Sequence, residues 1–196
     1  MQRTIIVGLM LLAMPAEAQT YRQYSQWCFG QSTDAETIQG CDAVIRWARE
    51  TKNDAGAAFY NRGLAYRNLG KLDRAIDDFD QALKLKPNFA DAWNERGVAY
   101  RQKGNNAQAV ADFDEALRLH PDNAAALFNR AGALTSLGQF ERAIADFNRV
   151  LQVSPADAEA LLARGQARRA AGDVTGGDAD IVAARQMTAG RSAAVR

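Results

Sequence analysis

The chain has 196 residues, with 24 basic and 23 acidic side chains and a single His. That length fits one domain with short appendages. The near-neutral balance gives no reason to expect a nucleic-acid partner or a strongly anionic surface, and a hydrophobic content of 47% is too high for a disordered chain.

At the start, Arg3 and the terminal amino group make a short positive segment, Ile5 to Met14 is an apolar run, and Ala16-Glu17-Ala18 sets small residues around a cleavage point. This is the three-part layout of a secretory signal peptide over residues 1–18, with Gln19 as the expected first mature residue. A membrane anchor is the weaker reading, because a spanning helix needs about 20 apolar residues and this run is half that. A lipid anchor would want a Cys just after the run, and the first is Cys28. The mature chain, with no second long apolar stretch, is expected to be soluble in the periplasm or secreted. In such a compartment the two cysteines, Cys28 and Cys41, favour a disulfide and allow only one pairing.

From residue 56 the chain repeats. A shift of 34 residues aligns Gly63 with Gly97, Gly70 with Gly104 and Gly138, and Ala75 with Ala109 and Ala143. It also aligns Phe79, Phe113 and Phe147, then Pro87, Pro121 and Pro155. A fourth copy keeps Gly165 and Gly172 and then decays, with Gly177 for the Ala, Ile181 for the Phe and Ala189 for the Pro. The units are 56–89, 90–123, 124–157 and a degenerate 158–191. In the second unit, Ala92 to Lys103 predicts one helix, Gly104 a stop, and Asn106 to Leu119 a second helix with an apolar stripe of helical period. Pro121 keeps that helix from running into the next unit. Small residues at Gly97 and Ala109 let two backbones approach, with Trp93, Tyr100 and Phe113 filling the space around them.

The series Trp93, Gly97, Tyr100, Gly104, Ala109, Phe113, Ala116 and Pro121 resembles the tetratricopeptide repeat, and Asn61-Arg62-Gly63 resembles a bacterial subtype of it. Unit three departs by placing Ala131 before Gly132. The resemblance implies an all-α fold, a right-handed α-solenoid of stacked helix-turn-helix repeats, with a worn last unit as terminal cap. Residues 192–196 are expected to fray as a small, polar tail. Residues 19–55 follow the frame loosely, as an N-terminal helical cap. There Tyr21 to Gly30 predicts a shortened first helix, Cys41 falls at the small-residue place of a second helix, and Ile45 stands where Phe stands elsewhere. Cys28 lies within one residue of the place of Gly63 and Gly97. A Cys28–Cys41 disulfide would lock this incomplete unit, contributing roughly 3 kcal/mol; two buried free thiols are the alternative.

Two charged series recur with the repeat: Arg62, Arg96, Arg130 and Arg164 on first helices, and Asp78, Asp112, Asp146 and Asp180 on second helices. Ion pairs that fix helix register are the favoured reading, over an anion-binding stripe that the Asp series would neutralise. The resemblance also implies a partner-binding groove on the concave face of the first helices. Its lining would be Tyr60, Leu64, Arg67, Asn94, Val98, Arg101, Phe128, Thr135, Leu162, Gln166 and Arg169, with Asp91 and Glu159 offsetting a modest basic bias. Such a surface suits an extended segment or a helix of another protein; a merely solvated face is the alternative. The family's clamp for a C-terminal carboxylate uses Lys, Asn and Arg, and its places here hold Tyr60, Leu64, Glu95, Ala125 and Asn129, so that mode is set aside.

No nucleophile elbow, phosphate-cradling loop or metal cluster is present in the sequence, so neither catalysis nor a cofactor is expected. His120 stands beside Pro121 in a turn between units, and Gly176-Gly177 reads as a weak helix start. Two functions follow: an exported protein-binding adaptor or scaffold, or a module that self-associates as a homodimer through Ile181, Val182 and Met187 of the last unit.

Overall fold

A computed structural model describes residues 16–47 and 52–194. The leader up to residue 15, the junction 48–51 and residues 195–196 lie outside the described residues. Ten helices follow in chain order: α1 (Ala16–Phe29), α2 (Asp34–Trp47), α3 (Lys52–Asn68), α4 (Leu72–Leu85), α5 (Ala90–Gln102), α6 (Asn106–Leu119), α7 (Ala124–Ser136), α8 (Phe140–Val153), α9 (Ala158–Ala170) and α10 (Val174–Ala194). No strand occurs among the described residues. The helix α10 carries regular structure to Ala194, into the stretch expected to fray, and α1 begins before the expected mature end at Gln19.

Each unit is a helix pair joined by a tight turn whose Gly adopts a left-handed backbone. Gly104 has φ 82° and makes the only conformation that lets α5 stop and α6 start without a Cβ clash; Gly70, Gly138 and Gly172 do the same. Units are separated by turns beginning at Pro87, Pro121 and Pro155, after which a side chain caps the next helix in two cases. Asn123 accepts from the Ala126 N–H, and Asp157 accepts from the N–H groups of Glu159 and Ala160. In the cap, Thr33 and Glu36 exchange reciprocal bonds at the start of α2, a capping box.

The close approach within a pair sits where the sequence places its small residues. A Cβ added to Gly63 would come within 2.8 Å of the Phe79 ring, and one added to Gly97 within 2.7 Å of Phe113. Phe79 and Phe113 are fully buried, so the rings fill the room the missing Cβ leaves. Ala131 takes this place in unit three, buried in one cluster with Phe147. In the last unit a Cβ added to Gly165 would come within 2.8 Å of the Gly177 carbonyl and 2.9 Å of Ile181, so a second glycine and a smaller side chain bring the helices together.

Between units, a second pattern repeats. Ala82 and Leu83 of α4 cluster with Ala92 and Trp93 of α5. Ala116 and Leu117 of α6 meet Ala126 and Leu127 of α7, and Val150 and Leu151 of α8 meet Ala160 and Leu161 of α9. Each second helix is thus a seat for the third and fourth residues of the next unit. The first helices also touch one another in series, α3 with α5, α5 with α7 and α7 with α9, while among the described residues no two second helices meet. Helices that touch lie on the inside of a curve and helices that splay lie outside, so the first helices form the concave face.

The cap α1–α2 packs as a pair joined by the Cys28–Cys41 disulfide, with both residues buried and Cα atoms 4.6 Å apart. The cysteines thus mark a close approach as expected, and Gly40, one residue before Cys41, marks another, since an added Cβ there would meet the Tyr24 carbonyl at 2.6 Å. Asn61 of α3 donates to the Cys28 carbonyl at 2.9 Å, tying the cap to the first full unit.

Candidate functional site

The Arg and Asp series meet in every unit. Each guanidinium grips its own unit's carboxylate through two N–H donors: Arg62 on Asp78, Arg96 on Asp112, Arg130 on Asp146 and Arg164 on Asp180. The third nitrogen reaches back to the preceding unit's second helix, from Arg62 to Asp42, from Arg96 to Asp80 at 2.5 Å, from Arg130 to Asp114 at 2.7 Å and from Arg164 to Asn148 at 2.8 Å. One side chain therefore fixes three helices. The planar fork of Arg suits this, whereas the point charge of Lys does not. The Asp78 hydrogen bond is the main reason the Arg62 guanidinium is held more firmly protonated than usual. With every fork already occupied by carboxylate or amide oxygens, the series is a structural clamp and offers no open anion stripe. The back-reaching partners Asp80, Asp114 and Asn148 were missed in the sequence, although they too stand 34 residues apart.

The expected groove residues divide into three sets. Tyr60, Leu64, Phe128 and Thr135 are half-buried on the concave side, and Arg101, Leu162, Gln166 and Arg169 are exposed there. Asn94 and Val98 are each only 7% exposed, so they correct the expected lining: Val98 belongs to the core between units two and three. Small residues let neighbouring first helices approach and leave no room for those two side chains to face a ligand. Arg67 is half-buried in an ion pair with Glu95 at 3.2 Å, and Arg169 pairs with Asp178 at 3.2 Å. The basic bias read from the sequence is thereby reduced to Arg101, which makes no ion pair among the described residues. Its guanidinium lies over α7, 3.4 Å from where a Cβ on Gly132 would stand, an ordinary contact distance.

A polar chain runs beneath the face. Asn129 donates to Asn94 at 3.4 Å, Asn94 donates to Glu95 at 3.2 Å, and Glu95 pairs with Arg67, linking α7, α5 and α3. Burial raises the Glu95 carboxyl above its ordinary value of 4.5, against the opposing pull of Arg67. Burial, together with Glu95 and Asp91, pushes the Tyr60 phenol up to about 12. Tyr60 is therefore a neutral aromatic, its ring 4.7 Å from that of Phe89 and 6.0 Å from Phe79. Among the described residues no group of three metal-ligating side chains comes together, and no helix is long and apolar enough to cross a membrane. What the face can do is present aromatic and aliphatic anchors beside one unpaired cation.

A 34-residue helix-pair repeat, a glycine-gated approach inside each pair and a concave face of first helices define the class of helical repeat solenoids. Two models of the tetratricopeptide repeat family match the chain, one over residues 56–89 and the other over 94–152 and 134–177, together more than half of it. The chain belongs to the tetratricopeptide repeat family. A search of curated proteins returned no significant match. Among solved structures the chain is similar in fold to a MamA protein from Desulfovibrio magneticus RS-1, with a TM-score of 0.77 and 24% identity over 91% of this chain and 98% of that one. YrrB, described as a tetratricopeptide protein with an unusual peptide-binding site, matches with a TM-score of 0.69 and 18% identity over 79% and 77% of the two chains. The first tetratricopeptide domain of Spaghetti (RPAP3), bound to the HSP90 peptide SRMEEVD, matches with a TM-score of 0.60 and 26% identity over 61% and 95%. Members of this family are characteristically non-catalytic protein-interaction modules.

Proposed function

We propose that this protein is an exported adaptor or scaffold whose concave face captures a segment of another protein. The single observation that carries the reading is Arg101, the one guanidinium of the expected groove that makes no ion pair among the described residues, on a face that also carries the half-buried rings of Tyr60 and Phe128. An extended or helical segment would set apolar side chains on those rings and an acidic group or backbone carbonyls on Arg101. Two neighbours named above are peptide-binding proteins by description, which supports this use of the fold. The carboxylate clamp is not the mode, because its places hold Tyr60, Leu64, Glu95, Ala125 and Asn129. The leader 1–18 supports export with cleavage after Ala18, and the buried disulfide suits an oxidising compartment. The repeats are read as the bacterial subtype on Asn61-Arg62-Gly63.

The test is affinity capture from an envelope extract by the wild-type protein beside a variant carrying Tyr60→Ala, Arg101→Glu and Phe128→Ala. Proteins held by the wild type and lost by the variant, with helix content unchanged, support the groove. Identical capture by both overturns it.

A further inference from the structure

The inter-unit contacts leave one seat unfilled. Position by position, Ala184 and Arg185 of α10 stand where Ala116 and Leu117, and Val150 and Leu151, seat the next unit. No unit follows. Between α7 and α8 the corresponding hollow, lined by Phe128, Asn129 and Val150 with Asp157 and Glu159 of the succeeding turn and helix, is about 240 Å³. Between α9 and α10 the equivalent hollow, lined by Leu162, Ala184 and Thr188, opens to about 500 Å³.

The opposite end of the molecule carries an unfilled plug. With Cys28 at the place of Gly63, Tyr24 stands where Phe59, Trp93, Leu127 and Leu161 stand in the other units. Of these, Trp93, Leu127 and Leu161 lie against the seat of the preceding unit. Tyr24 has its own unit on one side, with ring contacts to Trp27 and Trp47 at 5.5 and 5.8 Å, and no preceding unit among the described residues on the other. Tyr21, three residues earlier, packs on Trp47 at 5.4 Å, and both are exposed, at 40% and 45%.

We propose that the two ends are complementary, and that a second copy of this chain places the Tyr21–Tyr24 face of α1 on the α10 seat, continuing the solenoid from one molecule into the next. Size and charge agree. The head is bulkier than an internal first helix, with Tyr21 where Ala90, Ala124 and Ala158 stand, and the terminal seat is wider than the internal one. Arg185, in place of a leucine, supplies a guanidinium for an aromatic ring, a pairing the protein already makes where Arg96 lies 4.6 Å over the Trp93 ring. The contact joins two different surfaces, so it is heterologous and propagates as an open chain rather than closing as a two-fold dimer. It also differs from self-association through Ile181, Val182 and Met187, of which Ile181 and Met187 are half-buried under Gly165 and against the core and only Val182 is exposed, at 51%.

Sedimentation of the mature protein, residues 19–196, tests this with one variant blocked at each end, Tyr21→Asp for the head and Arg185→Asp with Thr188→Asp for the tail. All three sites are exposed, and none is a groove residue, so the outcome is separable from that of the groove experiment. The wild type is expected to grow in mean mass past a dimer as concentration rises, and each variant alone to lose association. Mixed in equal amounts, the two variants are expected to form one species of twice the monomer mass and nothing larger, because one intact head and one intact tail remain. A wild type that stays monomeric overturns the proposal, as do a closed dimer retained by both variants and a mixture that remains monomeric. Tyr21→Ser, which leaves the cap uncharged, replaces the Asp variant if circular dichroism shows a loss of helix.

Discussion

In the central units a helix pair is closed by a phenylalanine ring under a glycine or alanine; at the N-terminal end a disulfide closes it, and at the C-terminal end Ile181 and Gly177 under Gly165 do so. A central unit is packed on both sides, so its register is held by neighbours as well as by its own core. An end unit has one neighbour only. The cap compensates with a covalent link, while the last unit brings its backbones together and adds a second cation, since Asp180 accepts from both Arg164 and Arg168. The repeat is thus one packing rule whose chemistry is altered wherever a neighbour is missing.

The largest expected effect separates the middle from the C-terminal end. Arg96→Ala strands Asp112, buried on α6 with no other cation on it, and is expected to cost about 4 kcal/mol in denaturant unfolding. Arg164→Ala leaves Asp180 with Arg168 and is expected to cost less than half of that. Equal losses would show that the two regions are held alike. At the N-terminal end, replacing both Cys28 and Cys41 with Ser is expected to cost about 3 kcal/mol, localised as faster hydrogen exchange in α1 and α2 while α5 to α8 keep their protection.

Two smaller effects sharpen the contrast within the central units. Gly132→Ala puts a Cβ at an ordinary contact distance from Arg101 and removes a helix-interior glycine, so a gain of about 0.5–1 kcal/mol is expected. Gly97→Ala, at a neighbouring face of the same kind of helix, drives a Cβ into Phe113 and is expected to destabilise. The smallest effect is one of pH. The folded chain holds the Glu95 proton to higher pH than the unfolded chain does, so just above 4.5 the folded state binds more protons and stability falls as pH rises. Glu95→Gln is expected to flatten that slope in thermal melts.

The sequence reading was strongest where one residue type recurs at fixed spacing under a steric demand. The Gly63 and Gly97 places, the turn glycines and the Phe series are written that way, and so is the pairing of Arg62 with Asp78. It was weakest where the partner lies in another unit. Nothing in periodicity says that Arg67 turns toward Glu95 or that Asn94 is covered by α7, because both follow from how tightly successive first helices pack. Gly40 was overlooked for a related reason: the cap follows the 34-residue frame loosely, so the frame indicates Cys41 and not the glycine beside it. The isolation of Arg101 among paired cations became visible only once Arg67 and Arg169 had been placed.

The claim at the centre of this account is that the concave face of the first helices is where a partner is held. A photo-crosslinking residue at Arg101, compared with one at Ala111 on the exposed side of α6, tests it directly in cells that carry the protein. Crosslinks to a discrete partner from position 101 and none from position 111 are predicted. The same partner crosslinked from position 111 alone would place binding on the convex side and contradict the account.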